Sequence, residues 1–442
     1  MGRILPFTKQ VRYLSGLDWI ISALDHSMKR ITTAGNASQV VLILDSGIDE
    51  AVLRRKLSGF LRKFPILHGK IARNYLNLAP YWSYSSDGKI SEDMPLNVYH
   101  VDESAKNGGT SLMEECVNRP FKSENEHLAF HYIPSKGKCI LLMTFDHRLF
   151  DAKGAEAFMN MINQYLLNGE EIEPSRGVCM TAPSGLSMWK EKFLAGRDVN
   201  RKRIALSKLP SRIFPAIETR TKQSIKFKII SFGKEETSEI FDRAYKEAGF
   251  LMEMPYLLSS VVQGMHGLFE SKSVNGQGYV VPVTVDTRAT ADIRKELFFN
   301  YASYFFFQVA KSSVHDRKTI ITEIKKQMYE QVQGRLPQKL ADASMLMRIV
   351  PLSVMGGLNK SLGVGLSSFI FAYLGKTAFA DTKFMGVMIE NMFHMPRVPV
   401  PPGIGIFFNL FNGRLNATVS WVEGLLRPVD VDMLEDELRS KL

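Results

Sequence analysis

Apolar residues fall in two rhythms along this chain, and the change from one to the other marks its elements. Gln39–Asp45 is a continuous apolar run of strand length. Over residues 49–64, Leu53, Leu57, Phe60 and Phe64 recur at near-helical spacing with Arg54, Arg55 and Lys56 opposite, and Pro65 stops the helix. Residues 127–133 and 138–145 read as a hairpin around the turn Pro134-Ser-Lys-Gly137. Ala155, Phe158, Met159, Ile162 and Leu166 form a helical stripe closed by Gly169.

Between 170 and 222 the periodicity weakens, and four prolines punctuate a basic stretch. We place a linker there, over 176–222, with Leu186–Leu194 as a candidate short helix. It separates an N-terminal half, 1–175, from a C-terminal half, 223–442. The second half repeats the mixture. Strands are predicted at Ser224–Phe232, Gly278–Val285, Phe305–Val309, Gly405–Asn409 and Leu415–Trp421, the last two joined by the turn Asn412-Gly413. Helices are predicted from Glu235, over Pro255–Phe269, over Lys318–Arg335 and from about Val431. Two halves of similar make-up suggest a duplicated αβ architecture.

At 442 residues the chain exceeds one ordinary core, and its 45% hydrophobic and 23% charged content is that of a globular protein. The start has no apolar core of signal-peptide length. Cys116, Cys139 and Cys179 form no disulfide framework or metal-type pair, which fits a reducing compartment. The most apolar window, Leu362–Gly375, is shorter than the roughly 20 residues that span a bilayer and reads as buried. A cytoplasmic location is expected, with contact at the inner face of a membrane as a further option. The net charge of +11 brings no nucleic-acid-binding motif with it, and we expect no nucleic acid. A phosphate-bearing co-substrate, an acidic carrier protein or an anionic membrane would each suit that charge.

Candidate chemistry centres on residues 139–154. An apolar strand ends in Asp146-His147, Asp151 follows, and a helix begins at once. A histidine carried out of the core at a strand end is well placed to remove a proton near neutral pH. Asp151 can cap the helix, shape the loop, or do both. His127 and His131 have an i,i+4 spacing, but in a strand that puts them about 13 Å apart, too far for one metal. The paired glycines at 356–357 and 363–365 lack the context of a phosphate loop.

Arg119-Pro-Phe121 and Phe145-Asp-His-Arg-Leu-Phe-Asp-Ala152 resemble the condensation-domain and chloramphenicol-acetyltransferase-like superfamily, whose motif is His-His-x3-Asp-Gly or His-x3-Asp-Gly. Further matches are Val283-Thr-Val-Asp-Thr-Arg288, Asn300 with Ser303, and the segments Pro401–Gly403, Gly405–Phe408, Gly413–Asn416 and Ser420-Trp421. The resemblance implies two chloramphenicol-acetyltransferase-like αβ subdomains in a V around a central tunnel. It implies an acyltransferase, with His147 as general base and Asp151 paired to Arg288 as a structural element. The acyl donor would be a thioester on coenzyme A or an acyl carrier protein, and the acceptor an alcohol or amine. No permanently bound cofactor, no metal and a monomeric protein are expected.

The sequence also departs from the family. Asp146 replaces the first histidine, Ala152 the glycine, Phe299 the glycine before the asparagine, and Ala372–Gly375 the Ser-Asn-x-Gly element. Solvation is the expected fate of Asp146. Asp146, Asn300, Ser303 and Tyr373 are candidates for lining the site. A non-catalytic binding module that keeps the fold is the alternative reading.

Overall fold

The structure is a computed structural model. It describes residues 9–75, 78–85, 96–100, 108–135, 137–169, 189–207, 221–289, 292–355 and 367–442. Cys179, residues 186–188, the glycine pairs near 356 and 363 and the first part of the 362–375 window lie outside them.

The N-terminal half opens with β1 (Lys9–Tyr13) and α1 (Gly16–Ile31), whose first turn is held by a Ser15–Asp18 capping box. The long apolar run becomes β2 (Ala37–Leu44), and the amphipathic stretch after it α2 (Glu50–Leu61), capped by Asp49. Three short strands follow: β3 (Lys70–Arg73), β4 (Pro80–Ser85) and β5 (Leu96–Val98). Next come α3 (Gly108–Asn118) and the hairpin of β6 (Leu128–Ser135) and β7 (Lys138–Asp146). Helix α4 (Ala152–Asn168) ends as its sequence predicts, with Gly169 in the left-handed region at φ 65°.

The stretch expected to be a linker contains α5 (Trp189–Leu206), an 18-residue helix. It overlaps the candidate helix 186–194 and runs further; only Lys192, Ala195 and Leu206 of it are buried, so its apolar stripe is too thin to announce its full length.

The second half runs β8 (Ile225–Ser231), α6 (Lys234–Ala248), α7 (Glu253–Ser271), β9 (Gly278–Asp286), β10 (Ala302–Ala310) and α8 (Arg317–Gln333). The predicted 318–335 helix stops short, because Arg335 turns left-handed at φ 51° and α9 (Leu336–Ser344) starts in a new direction. Strands β11 (Ile370–Lys376), β12 (Lys383–Phe384), β13 (Val387–Pro396), β14 (Ile404–Phe411) and β15 (Arg414–Val422) lead to α10 (Pro428–Lys441). Asn412 and Gly413 both have positive φ, 47° and 78°, as the tight hairpin turn between β14 and β15 demands.

Two six-stranded sheets carry the fold. The first has the order β12-β13-β2-β7-β6-β5, the second β10-β9-β11-β14-β15-β8. Sheet membership therefore departs from chain order: β12 and β13, far along the second half, complete the first sheet beside β2. Buried polar groups hold them there. Glu156 of α4 accepts from His394 Nε2 at 2.8 Å and from the Ala378 amide at 2.6 Å. Asn409 and Asn416 both donate to the Met392 carbonyl, stitching β13 to the second sheet as well.

One apolar core contains α2, α4 and the inner face of the first sheet, and the other lies mainly against the second sheet and α7. Phe298, from the second half, inserts among the aromatics of the first core, with its ring centroid 5.1 Å from Phe150 and 6.0 Å from Phe64. That insertion sets residues 298–301 against residues 147–151. No helix of the described residues is long and apolar enough to cross a membrane.

Candidate active site

His147 is held on both sides of its loop. Phe145, fully buried, anchors the end of β7, and the His147 amide donates to the Asn36 carbonyl at 3.1 Å just beyond the β2 register. Leu149 and Phe150 are also fully buried. Phe150 then forms an isolated parallel bridge with Phe299, and the Phe299 amide donates to the Leu149 carbonyl at 2.5 Å. The loop thus becomes an added strand against residues 299–301, while the His147 side chain stays partly exposed.

Asn300 meets His147 twice. Its Nδ2 donates to the His147 carbonyl at 2.9 Å, and its Oδ1 lies 3.1 Å from His147 Nδ1. The first bond fixes which way the amide faces, since a reversed amide would set oxygen against oxygen. Oδ1 can then only accept, so Nδ1 carries the proton. In the neutral ring this leaves Nε2 with its lone pair free, and no group of the described residues bonds it. The Asn300 amide donates in turn to Asp18 Oδ1 at 3.1 Å, anchoring the pair to the first turn of α1.

Phe299 explains one departure from the family. Its φ is +76°, the left-handed region where glycine is at ease and a bulky residue costs about 1–2 kcal/mol. The ring is buried, with the Arg12 guanidinium 3.8 Å over its centroid and Trp82 edge-on at 5.7 Å. Packing offsets the backbone strain and keeps the turn that presents Asn300.

Asp151 does two structural jobs. Its Oδ1 accepts from the Gly154 amide at 2.8 Å as the cap of α4 and from Arg288 Nη2 at 2.7 Å. Oδ2 accepts from the Tyr301 amide at 3.0 Å. Arg288 reaches it from just past the end of β9, so the ion pair ties the two halves together next to His147. Burial would lower the Arg288 pKa, but the Asp151 carboxylate outweighs it and raises it. Gly154 is needed here, because a Cβ would sit 2.3 Å from the Leu297 carbonyl oxygen.

Asp146 is not solvated, contrary to expectation. It is 2% exposed and accepts from Arg148 Nη2 at 2.6 Å, the Arg148 amide at 2.9 Å and His127 Nδ1 at 2.9 Å. Burial pushes its pKa up, but Arg148 and then His127 push harder, holding it well below the usual carboxylate range. Strand alternation puts Asp146 on the sheet face opposite Phe145, and Arg148 folds back over it. It belongs to the wall behind the site.

Ser303 and Tyr373 are placed elsewhere. Ser303 is fully buried and donates from Oγ to the Pro337 carbonyl at 3.1 Å, against α9. Tyr373 packs with the core of the second half, on the sheet face shared with Phe371 and Phe408. Burial, then Glu253, pushes its phenol up to about 12. Neither hydroxyl reaches His147 in the described contacts. The signals for Asp18 and Arg148 were thinner: a Ser-x-x-Asp cap for the first, and for the second only its place beside the histidine.

Among the described residues no group of three His, Cys, Asp or Glu could hold a metal. His127 is taken up by Asp146 and the Gly69 carbonyl. A cleft of about 460 Å³ opens between α3 and the start of β8, lined among others by Thr33, Glu114, Arg119 and Lys226. It does not include His147, and a central tunnel is not outlined by it.

No family model and no curated protein matches the sequence. Solved structures do match over nearly the whole chain. A trichothecene 15-O-acetyltransferase from Fusarium sporotrichioides is 12% identical, with 98% of this chain and 96% of that one covered at TM-score 0.70. The first condensation domain of the calcium-dependent antibiotic synthetase is 13% identical, covering 98% and 95%, at 0.69. This chain has the condensation-domain, chloramphenicol-acetyltransferase-like fold. A wax ester synthase/diacylglycerol acyltransferase from Marinobacter aquaeolei shares it at 11% identity, 97% and 98% coverage and TM-score 0.59. At these identities the likeness speaks for the fold, and the chemistry has to be argued from the site.

Proposed function

We propose that this protein transfers an acyl group from a thioester, on coenzyme A or an acyl carrier protein, to an alcohol or amine, with His147 as general base. The observation that carries the reading is the Asn300 clamp, which fixes the proton on Nδ1 and leaves Nε2 as an unengaged base on a partly exposed ring. Solved structures of the same fold named as acetyltransferase, condensation domain and wax ester synthase support it. Nε2 takes the proton of the acceptor as its oxygen or nitrogen attacks the thioester carbonyl. The tetrahedral intermediate collapses by breaking the carbon–sulfur bond. The departing thiolate takes the proton back from Nε2, leaving an ester or amide and a free thiol. An activated donor, positioning and one base account for the rate without a covalent acyl-enzyme.

The test is product analysis by mass spectrometry after incubation with acyl-coenzyme A mixtures and panels of alcohols and amines. His147→Ala should lower turnover by about 10²–10⁴-fold with an unchanged melting temperature. Equal product from both proteins would remove His147 from the chemistry. A wild type silent with every donor, including acyl carrier protein thioesters, would leave the non-catalytic binding module as the reading.

A further inference from the structure

Beside the His147–Asn300 pair the protein buries positive charge that it does not neutralise. Asp18, which accepts the Asn300 amide, lies at the junction of β1, α1 and the segment 345–350. Three arginines converge there. Arg12, 8% exposed, stacks on Phe299 and makes only two 3.3 Å contacts, to the Phe298 carbonyl and the Tyr301 hydroxyl. Arg73 spends its guanidinium on the carbonyls of Arg348, Ile349 and Val350. Among the described residues the guanidinium of Arg348, 4% exposed, has one hydrogen-bond partner, the Met345 sulfur at 4.0 Å from Nη1. Among the described residues no carboxylate forms an ion pair with any of the three.

Arg348 is the most exceptional. Both Nε and Nη2 are buried and without a partner. Those two nitrogens form one edge of the guanidinium, the side-on fork whose parallel N–H groups match the two oxygens of a carboxylate. A buried guanidinium with an empty fork is costly unless an anion fills it. Arg397 is a weaker case. It too has an orphaned Nη2, but its Nε and Nη1 sit on the Gly35 and Val117 carbonyls and the Asn118 side chain, so it serves as a brace at the end of α3.

We infer that the Nε–Nη2 edge of Arg348 receives a carboxylate of the ligand, so that one substrate of this protein is an acid. The inference rests on the proposed acyl transfer only for the ligand's being a substrate. Asp18 supplies one negative charge to this region and acts on Arg348 without forming an ion pair with it.

The test is a binding measurement on the full chain, by calorimetry and thermal shift, with hexanoate, hexanamide and inorganic phosphate. Hexanoate should bind about tenfold tighter than its neutral isostere, as expected for a charge-assisted pair. Arg348→Gln should erase that ratio, and Arg348→Lys, which keeps the charge and loses the fork, should reduce it. Equal binding of acid and amide by the wild type, no hexanoate binding, or a ratio that survives Arg348→Gln would overturn the inference. So would phosphate stabilising the protein as well as hexanoate, the mark of a general surface cation. If neither variant folds, the acid, amide and phosphate comparison on the wild type decides. His147→Ala should keep the preference for hexanoate. A preference without acyl transfer would therefore sink the proposed function alone, and transfer without the preference would sink this inference alone.

Discussion

Two aspartates flank His147, one residue before it and four after, and the protein uses them in opposite ways. Asp146 closes a network within the first half: Arg148 two residues on, and His127 on the neighbouring strand. Asp151 reaches across to Arg288 and Tyr301 of the second half. Both are buried and both are fully bonded. The first makes a rigid wall, and the second sets the distance between the halves at the His147 loop. A carboxylate beside a histidine thus need not act on its ring; here the ring's partner is the neutral amide of Asn300.

The largest break in this comparison should come from Asp146→Ala. It takes the closest partner from Arg148, leaving it Asp25 at 3.6 Å, and losing one member of a buried pair costs about 3–5 kcal/mol. Urea denaturation should register that loss, while the acyl-transfer rate of the molecules still folded stays within a few-fold of wild type. A collapse of the rate without loss of stability would move Asp146 into the chemistry.

A somewhat smaller effect sharpens the role of the wall. His131, behind it on β6, is held down at about 4, first by burial and then by the charge of Arg119. A histidine with a lowered folded pKa contributes stability that is intact above its unfolded value near 6.5 and is lost as pH falls towards the folded value. Between pH 7 and 4 the wild type should therefore lose on the order of 3 kcal/mol more than His131→Leu. Parallel pH profiles of the two proteins would refute this burial argument.

The smallest effect tests the bridge. A double-mutant cycle on Asp151→Ala and Arg288→Ala should give a coupling of about 2 kcal/mol, within the range for directly bonded partners. Each single variant should also lower the acyl-transfer rate, because Tyr301 and Asn300 shift with the loop. Additive effects in stability and an unchanged rate would reduce the pair to a surface-like contact.

Sequence periodicity carried much of the fold where one face of an element is apolar. β2, the β6–β7 hairpin, α4, β9 and the β14–β15 hairpin fall within a few residues of their apolar runs. α5 was legible only at its start, within the candidate helix 186–194, because little of it is buried, and α9 was missed because a left-handed residue interrupts the chain. At the site, resemblance to the family's motifs pointed to His147, Asp151, Arg288 and Asn300. The sequence set Arg148 two residues from Asp146, but it could not show that both would be buried beside His127, which lies 19 residues away. Nor could it show that Ser303 and Tyr373 turn from the site, because strand register decides which face a side chain takes.

What the sequence by itself determined is the strand that delivers His147 and the cap that starts α4. These follow from patterns within a dozen residues, where backbone preference and amphipathicity decide. Only the tertiary structure decided that β13 would cross into the first sheet, that Phe298 would carry Asn300 to the imidazole, and that Arg348 would be buried with an empty fork. Those outcomes depend on contacts between residues more than a hundred and up to 358 positions apart, where packing and burial of charge, not local propensity, set the free energy.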